Sequence, residues 1–365
     1  MNFRIVVFFL LALCAISKSV CGQEPTPKVN DSTKNLKIRV LPVLFFLPET
    51  GLGYGGISIG TFRFKNESAD SRPSTIQAAA TLTSKKQILL FAPFEIYADE
   101  EKWRFVGEVG FYKYFYNFFG IGIDSREEDL ETYDVTFSRA RLTVLREIVP
   151  KFSVGLAYEF DKYGTPTLKE DGLIDAGDFL GKEGGIISNL GISTVYDSRD
   201  NIFFPTKGLF IQGNLLASFK AVGSDFSYNK WILDSRYYQK IKGRHVLATN
   251  LYFANNGEGA PFLDLNSLGS RRTRGFDNRR FQDNAEWSMA LEYRFPLYRR
   301  IEGVAFGSTA TVSKDFGSLF SSAFKNAAGI GLRYTLNKKE GTRIRMDYGI
   351  SGEGGNFYFT INEAF

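Results

Sequence analysis

The chain has 365 residues, with 45 basic and 40 acidic side chains and one histidine. That near-balance gives no basic surface of the kind nucleic acid needs, and a lone histidine builds no ordinary zinc site. Aromatic residues make up 15 %, with 35 Phe and 18 Tyr beside 36 Gly, yet beyond residue 22 no apolar run approaches the length of a spanning helix.

At the N-terminus Arg4 precedes an apolar run, Ile5 to Ile16, followed by small and polar residues up to "SVCGQ". This pattern predicts a cleaved signal peptide over residues 1–22. Cys14 and Cys21 both fall inside it, behind the bulky Leu13 and Val20, so neither heads a lipoprotein box. The mature chain then has no cysteine and no disulfide staple. It also keeps 43 basic groups once Arg4 and Lys18 leave. Residues 23–36, polar and rich in Pro, Asn, Ser and Thr, predict a short periplasmic tail ahead of a transmembrane β-barrel over 37–365.

From there the chain alternates with period two in segment after segment. Strands are expected near 37–47, 52–65, 74–84, 86–98, 101–113, 132–148, 151–163, 185–198, 206–220, 224–241, 244–256, 284–298, 301–315, 324–337, 341–351 and 355–365. An even count puts both ends in the periplasm and the long connections, 114–131, 164–184 and 257–283, on the outer side. In the second strand, "GLGYGG" (Gly51 to Gly56) matches a dinucleotide fingerprint, but a strand-like sequence follows it where a helix is required. A tight outer loop is the expected structure. "GISIG" (Gly56 to Gly60) matches the nucleophile elbow of lipases. Ser58 then needs His245 as base, and strand parity puts His245 on the lipid side near the opposite rim. The aromatic run "FYKYFYNFFGIG", Phe111 to Gly122, is expected to form an interfacial girdle.

The segment 268–281 holds five arginines. Solvent-facing, Arg271, Arg272, Arg279 and Arg280 suit anionic lipopolysaccharide. After it, Trp287, Met289, Leu291, Tyr293, Phe295 and Leu297 share one face, leaving Ser288, Ala290, Glu292 and Arg294 to the lumen. The same alternation runs through Ala328 to Leu336 and Arg343 to Ile350, where Asp347 falls on the polar face. Val304 to Thr311 alternates poorly and yields no face assignment. At the end, Phe357, Phe359, Ile361 and Phe365 share a face.

These residues resemble the BamA/TamA superfamily, the bacterial surface antigen family of outer-membrane barrels. The likeness rests on "TRGF" (Thr273 to Phe276) followed by "NAEWSMALEYRFPL", on "VYDSRDNIFFPTKG" (Val195 to Gly208) and on "FFGIGIDS" (Phe118 to Ser125). It covers most of the mature chain, most strongly 185–365. It implies an all-β, 16-stranded antiparallel barrel whose sixth outer loop folds inward, anchored through Arg274, Gly275 and Phe276 to Glu292. Phe365, with Phe357, Phe359 and Ile361, matches the family's insertion signal. There are departures. Thr273 replaces Val or Ile, and the next strand reads Phe306, Gly307, Ser308, Thr309, Ala310 where the family has Phe-x-Asp-x-Gly. Asp347 is the substitute expected for the missing acid. Glu363 stands where an apolar residue is common, and residues 23–36 leave no room for POTRA domains. The expected role is protein or lipid translocation or assembly at the outer membrane, with no cofactor and with a separate periplasmic or outer-membrane partner protein. The alternatives are a passive channel or structural barrel, and a lipase.

Overall fold

The computed structural model describes residues 36–365 apart from 66, 69, 70, 270, 338–341 and 362. The expected signal peptide and nearly all of the expected tail lie outside the described residues. The strands are β1 (Lys37–Leu47), β2 (Gly51–Phe62), β3 (Ser74–Thr83), β4 (Ile88–Ala98), β5 (Trp103–Phe118), β6 (Glu131–Val149), β7 (Phe152–Tyr163), β8 (Gly185–Asp197), β9 (Gly208–Ser218), β10 (Tyr228–Lys242), β11 (His245–Asn256), β12 (Asn266–Ser267), β13 (Gln282–Asp283), β14 (Ala285–Tyr298), β15 (Ile301–Ser313), β16 (Lys325–Asn337), β17 (Thr342–Ser351) and β18 (Gly354–Ile361). Sixteen of them close into one antiparallel barrel, in the order β1-β18-β17-β16-β15-β14-β11-β10-β9-β8-β7-β6-β5-β4-β3-β2, while β12 and β13 pair separately. Closure gives every barrel strand a neighbour on both sides, as a strand in hydrocarbon requires, although the join of β1 to β18 is short. Among the described residues no helix is long and apolar enough to cross a membrane.

Period two is visible in the burial of the walls. Along β11, Val246, Ala248, Asn250, Tyr252, Ala254 and Asn256 are buried and the residues between them are not. Along β14, Ser288, Ala290, Glu292 and Arg294 are buried, whereas Leu291 and Tyr293 are exposed. Four hairpins lose register just before their short turns, at Glu147/Val149, Lys240/Lys242, Pro296/Tyr298 and Thr335/Asn337. These bulges bend the strand ends at one rim.

Three expectations change, and the unassigned strand gains a face. The glycines of "GLGYGG" do not form a loop. They lie in β2, paired with β1 and β3, and the connection is Pro48 to Thr50. A Cβ on Gly53 would stand 2.2 Å from the Phe45 ring, so the glycine admits that ring across the strand pair. The aromatic run extends β5 to Phe118 and mostly faces inward: Phe118 is buried in a cluster with Tyr133, Phe137, Tyr163 and Phe262, and Tyr112, Tyr114 and Tyr116 pack against it. The girdle reading therefore fails for these side chains, whose parity places them opposite the exposed Val109 and Phe111. The unassigned strand, β15, alternates poorly because its inner face is itself apolar: Val304, Phe306, Ala310 and Val312 are all buried. Third, β18 ends at Ile361, and Phe365 leaves the face of Phe357, Phe359 and Ile361. Phe365 and Ala364 instead pack with Tyr238, Ala248 and Ala290, and Phe365 offers its carbonyl oxygen to Arg294 at 3.2 Å. Glu363 accounts for the turn, since its carboxylate meets Arg333 at 2.8 Å and Arg343 at 3.0 Å.

The closure between first and last strands is thin. Among the described residues β1 and β18 share one registered pair, Phe46 with Phe359, where β17 and β18 share eight, from Ile344–Ile361 to Ser351–Gly354. Pro42, in the part of β1 that faces no β18 partner, has no N–H to offer a ladder.

Candidate functional site

The site is built on the connection from β11 to β14. Its two arms are held as a hairpin by the β12–β13 pair and by Leu268 N–H donating to Phe281 O at 2.9 Å. Its tip carries the arginines. Arg274 is 1 % exposed and donates from Nη2 to Glu292 at 2.6 Å and from Nη1 to Asp347 at 2.5 Å. The flat face of its guanidinium lies 3.7 Å from the Phe306 ring centroid. The planar fork of arginine suits this niche, with a carboxylate at each prong and an aromatic ring against the plane; a lysine has no such plane. Three strands supply the niche: β14 gives Glu292, β15 gives Phe306 and β17 gives Asp347.

The carboxylates serve more than one cation. Glu292 also accepts from Arg294 at 2.7 Å and lies 3.4 Å from Arg333, and Asp347 also accepts from Arg333 at 2.5 Å. Arg333 reaches on to Glu363, so one buried network joins the loop tip to the end of the chain segment after β18. Arg345, 1 % exposed, sits 3.6 Å from Asp347, and its Nε and Nη1 have no hydrogen-bond partner. Four buried arginines (274, 294, 333 and 345) thus share three carboxylates (292, 347 and 363).

Backbone contact completes the anchoring. Gly275 has φ +117 and its N–H donates to the Tyr358 hydroxyl at 2.9 Å, while its carbonyl accepts from Ser351 at 3.0 Å. On the facing strand, a Cβ on Gly349 would come within 2.9 Å of both Arg274 C and Gly275 N. Two glycines let main chain lie on main chain here. Gly349→Ala is therefore expected to push the tip off β17 and expose it. Faster protease cleavage within 269–280, with the barrel itself still folded, is the readout; an unchanged digestion pattern contradicts this. Phe276 fills a buried apolar nest with Leu268, Phe281, Ala310, Val312, Ala327 and Ile123.

The remaining arginines do not face solvent together. Arg279 donates to Gln282 and to Phe262 O, both at 2.8 Å. Arg280 donates to Ser125 O at 2.8 Å and to Glu353 at 3.0 Å. Arg272 lies 3.4 Å from Glu286 and over the Tyr252 ring. Only Arg271 of the four expected to meet lipopolysaccharide is exposed. Carbonyls and carboxylates within reach satisfy the others better than water at the tip.

Parity alone points to Arg333 and Arg345, which lie on the polar faces of the segments quoted earlier, and to Glu363 only once the strand is seen to stop. The aromatic nest around Phe262 had no sequence signal of its own. In the turn between β8 and β9, Asp200 accepts from the N–H groups of Thr206 at 2.8 Å and Lys207 at 3.1 Å. Burial pushes its carboxyl up, but the Thr206 and Lys207 hydrogen bonds outweigh that and hold it below its usual range. That turn reaches the barrel wall, for Arg294 donates to Pro205 O at 3.2 Å and Arg343 lies over the Phe204 ring.

The structure does not bring Ser58 and His245 together. Ser58 is on β2 opposite Val40 and Ala78, while β11 lies across the barrel and His245 Nδ1 meets the Tyr293 hydroxyl at 2.7 Å. Among the described residues no group of His, Cys, Asp and Glu could hold a metal ion.

Against known proteins, the model of the Omp85 superfamily domain matches residues 72–365. No curated protein matches the chain. Among solved structures, it is similar to BamA from Haemophilus ducreyi lacking POTRA domains 1–3, with TM-score 0.58 and 16 % identity over 90 % of this chain and 70 % of that one. It is also similar to CdiB from Acinetobacter baumannii, with TM-score 0.59 and 13 % identity over 90 % of this chain and 60 % of that one. For CdiB from Escherichia coli the values are 0.58 and 11 %, over 91 % and 68 %. At such identities the likeness speaks for the fold, and the family match carries the assignment. A closed sixteen-stranded barrel with that match over four-fifths of its length belongs to the Omp85 superfamily, as an outer-membrane β-barrel of a family linked to protein translocation and assembly.

Proposed function

We propose that this barrel takes part in moving or inserting a polypeptide or lipid at the outer membrane of a Gram-negative bacterium, after export and cleavage of residues 1–22. The connection 257–284 folds inward as a plug, with Arg274, Gly275 and Phe276 as its anchor against Glu292 and Asp347. A separate periplasmic protein supplies the receiving part. The observation that carries this reading is the β1–β18 closure, one registered pair in a wall otherwise laddered along its length. Such a wall parts at that line before any other. Lipopolysaccharide contact falls to the outer rim, where Lys85, Lys86 and Lys113 line one cavity of about 260 Å³.

Joining the closure tests the reading. With Phe46→Cys and Phe359→Cys, and Cys14 and Cys21 gone with the signal peptide, oxidation links the one pair registered among the described residues. Oxidised cells should show reduced levels of other outer-membrane proteins or lipids, restored by reductant. Equal levels in both states remove the translocation role. A passive channel gives the opposite signature in planar bilayers, a large and steady conductance, where the plugged barrel is mostly closed.

A further inference from the structure

We propose that the periplasmic mouth of the barrel carries a docking pocket for an acidic segment of a polypeptide, built on Arg244, Arg299, Arg300 and Arg343. The proposal rests on the reading above only for which mouth faces the periplasm. The pocket, about 250 Å³, lies where three neighbouring hairpins end. Arg244 comes from the β10–β11 turn, Arg299 and Arg300 form the β14–β15 turn, and Arg343 opens β17.

Among the described residues its charges do not balance. Glu302 takes Arg244 at 2.8 Å and Arg343 at 2.8 Å, and Arg343 also reaches Glu363. Arg299 and Arg300 have no carboxylate partner among the described residues. The guanidinium of Arg299 rests only on the Tyr298 ring, and that of Arg300 only approaches Leu336 O at 3.5 Å. Arg244 holds the Arg299 carbonyl at 2.8 Å, which fixes the backbone from which the two free cations project. Exposed Lys240 and Lys242 extend the same basic sector. Across the mouth, in the β4–β5 turn, stand Asp99, Glu100 and Glu101, with Arg72 at 2.5 Å from Glu101 and Lys102 at 3.5 Å from Asp99. The basic sector is thus an excess of positive charge facing a mixed sector, and a partner with an acidic patch is steered to it.

The occupant comes from water and not from the bilayer. Glu302, Thr335 and Arg343 sit on positions of β15, β16 and β17 that share parity with the buried Val304, Arg333 and Arg345. The remaining wall is Phe204, from a turn that also touches Arg294 through Pro205. Lipid headgroups lie against the other face of these strands. Glu302 inside the pocket repels a phosphate dianion more than a single carboxylate. Basic residues from Lys240 to Arg300 suit a run of carboxylates in sequence. The docking chemistry is therefore that of consecutive Asp or Glu side chains, with Phe204 offering an apolar wall to their methylenes.

The test uses the full mature chain in neutral detergent and a fluorescent octaglutamate peptide followed by anisotropy. Binding to the parent is expected to weaken as salt rises. Arg299→Glu with Arg300→Glu should weaken it by about tenfold or more, and Arg299→Ser with Arg300→Ser by less, with both variants keeping the heat-shifted gel mobility of a folded barrel. Equal affinity in parent and both variants overturns the proposal. So does displacement of the peptide by an equimolar amount of inorganic phosphate, which leaves a small-anion site, or by phosphatidylglycerol vesicles, which leaves a lipid site. Because only purified barrel is used, a chain that binds the peptide yet tolerates the Phe46–Phe359 link refutes translocation and keeps the pocket.

Discussion

Arg274→Ala should release the loop tip and leave the barrel standing. Removing one member of a buried ion cluster costs about 3–5 kcal/mol when its partners are left uncompensated. Here the cost belongs at the lower end. Four buried arginines share three carboxylates, and Arg345, 3.6 Å from Asp347 with two unsatisfied donors, is placed to close on the vacated carboxylate. The sign of this imbalance gives a sharper expectation. Asp347→Asn or Glu292→Gln removes an anion from a cluster already rich in cations, so each should destabilise more than Arg274→Ala. Urea midpoints of the refolded barrel in detergent order the three variants, and the reverse order contradicts the charge count. Protease access to 257–284 should rise in all three. Arg274→Lys should fail to rescue the loop, because an ammonium cannot hold Glu292, Asp347 and the Phe306 face together.

Phe262→Ala should be as costly by a different route. Phe262 is 2 % exposed, 5.6 Å from Tyr133, 6.1 Å from Phe118 and 6.3 Å from Phe179 between ring centroids. Its carbonyl accepts from Arg279, so the ring and its backbone hold both the aromatic nest and the descending arm of the loop. Losing a buried Phe to a cavity costs about 3–5 kcal/mol. The nest joins β5, β6 and the connections 164–184 and 257–284, so the damage should appear as larger and more frequent openings in planar bilayers. Parent-like conductance together with a parent-like urea midpoint contradicts it.

What the sequence made legible was what the bilayer imposes. Hydrocarbon demands an apolar outer face and a closed ladder, and both leave a period of two that survives in single segments such as Trp287 to Leu297. All sixteen barrel strands overlap the segments that period marks, although β5 runs on to Phe118 and β18 stops at Ile361. The inner face obeys no solvent-wide rule. Where Leu268, Phe276 and Phe281 pack against Ala310 and Val312, β15 turns apolar inside as well, and the alternation from Val304 to Thr311 fades for that reason. The run from Phe111 to Gly122 misleads in the same way, since rings packed under a loop and rings at a membrane surface have one composition. Taken within the terminal strand alone, Glu363 looks like a flaw. Its neighbours in space, Arg333 and Arg343, lie 30 and 20 residues away in sequence and could not be seen from the strand itself. The family likeness pointed to Arg274 and Glu292, and the polar-face parity of Asp347 offered a carboxylate in place of the acid that this chain lacks between Phe306 and Ala310.

The joining of β1 to β18 by one pair among the described residues, Phe46 with Phe359, has a mechanical consequence. A closed hoop carries the same circumferential tension at every seam, so stretching or thinning of the surrounding bilayer opens it first at its weakest join. The elasticity of the lipid then becomes an input to the molecule, and barrels reconstituted in short-chain phosphatidylcholine should part along β1 and β18 more readily than the same barrels in long-chain lipid.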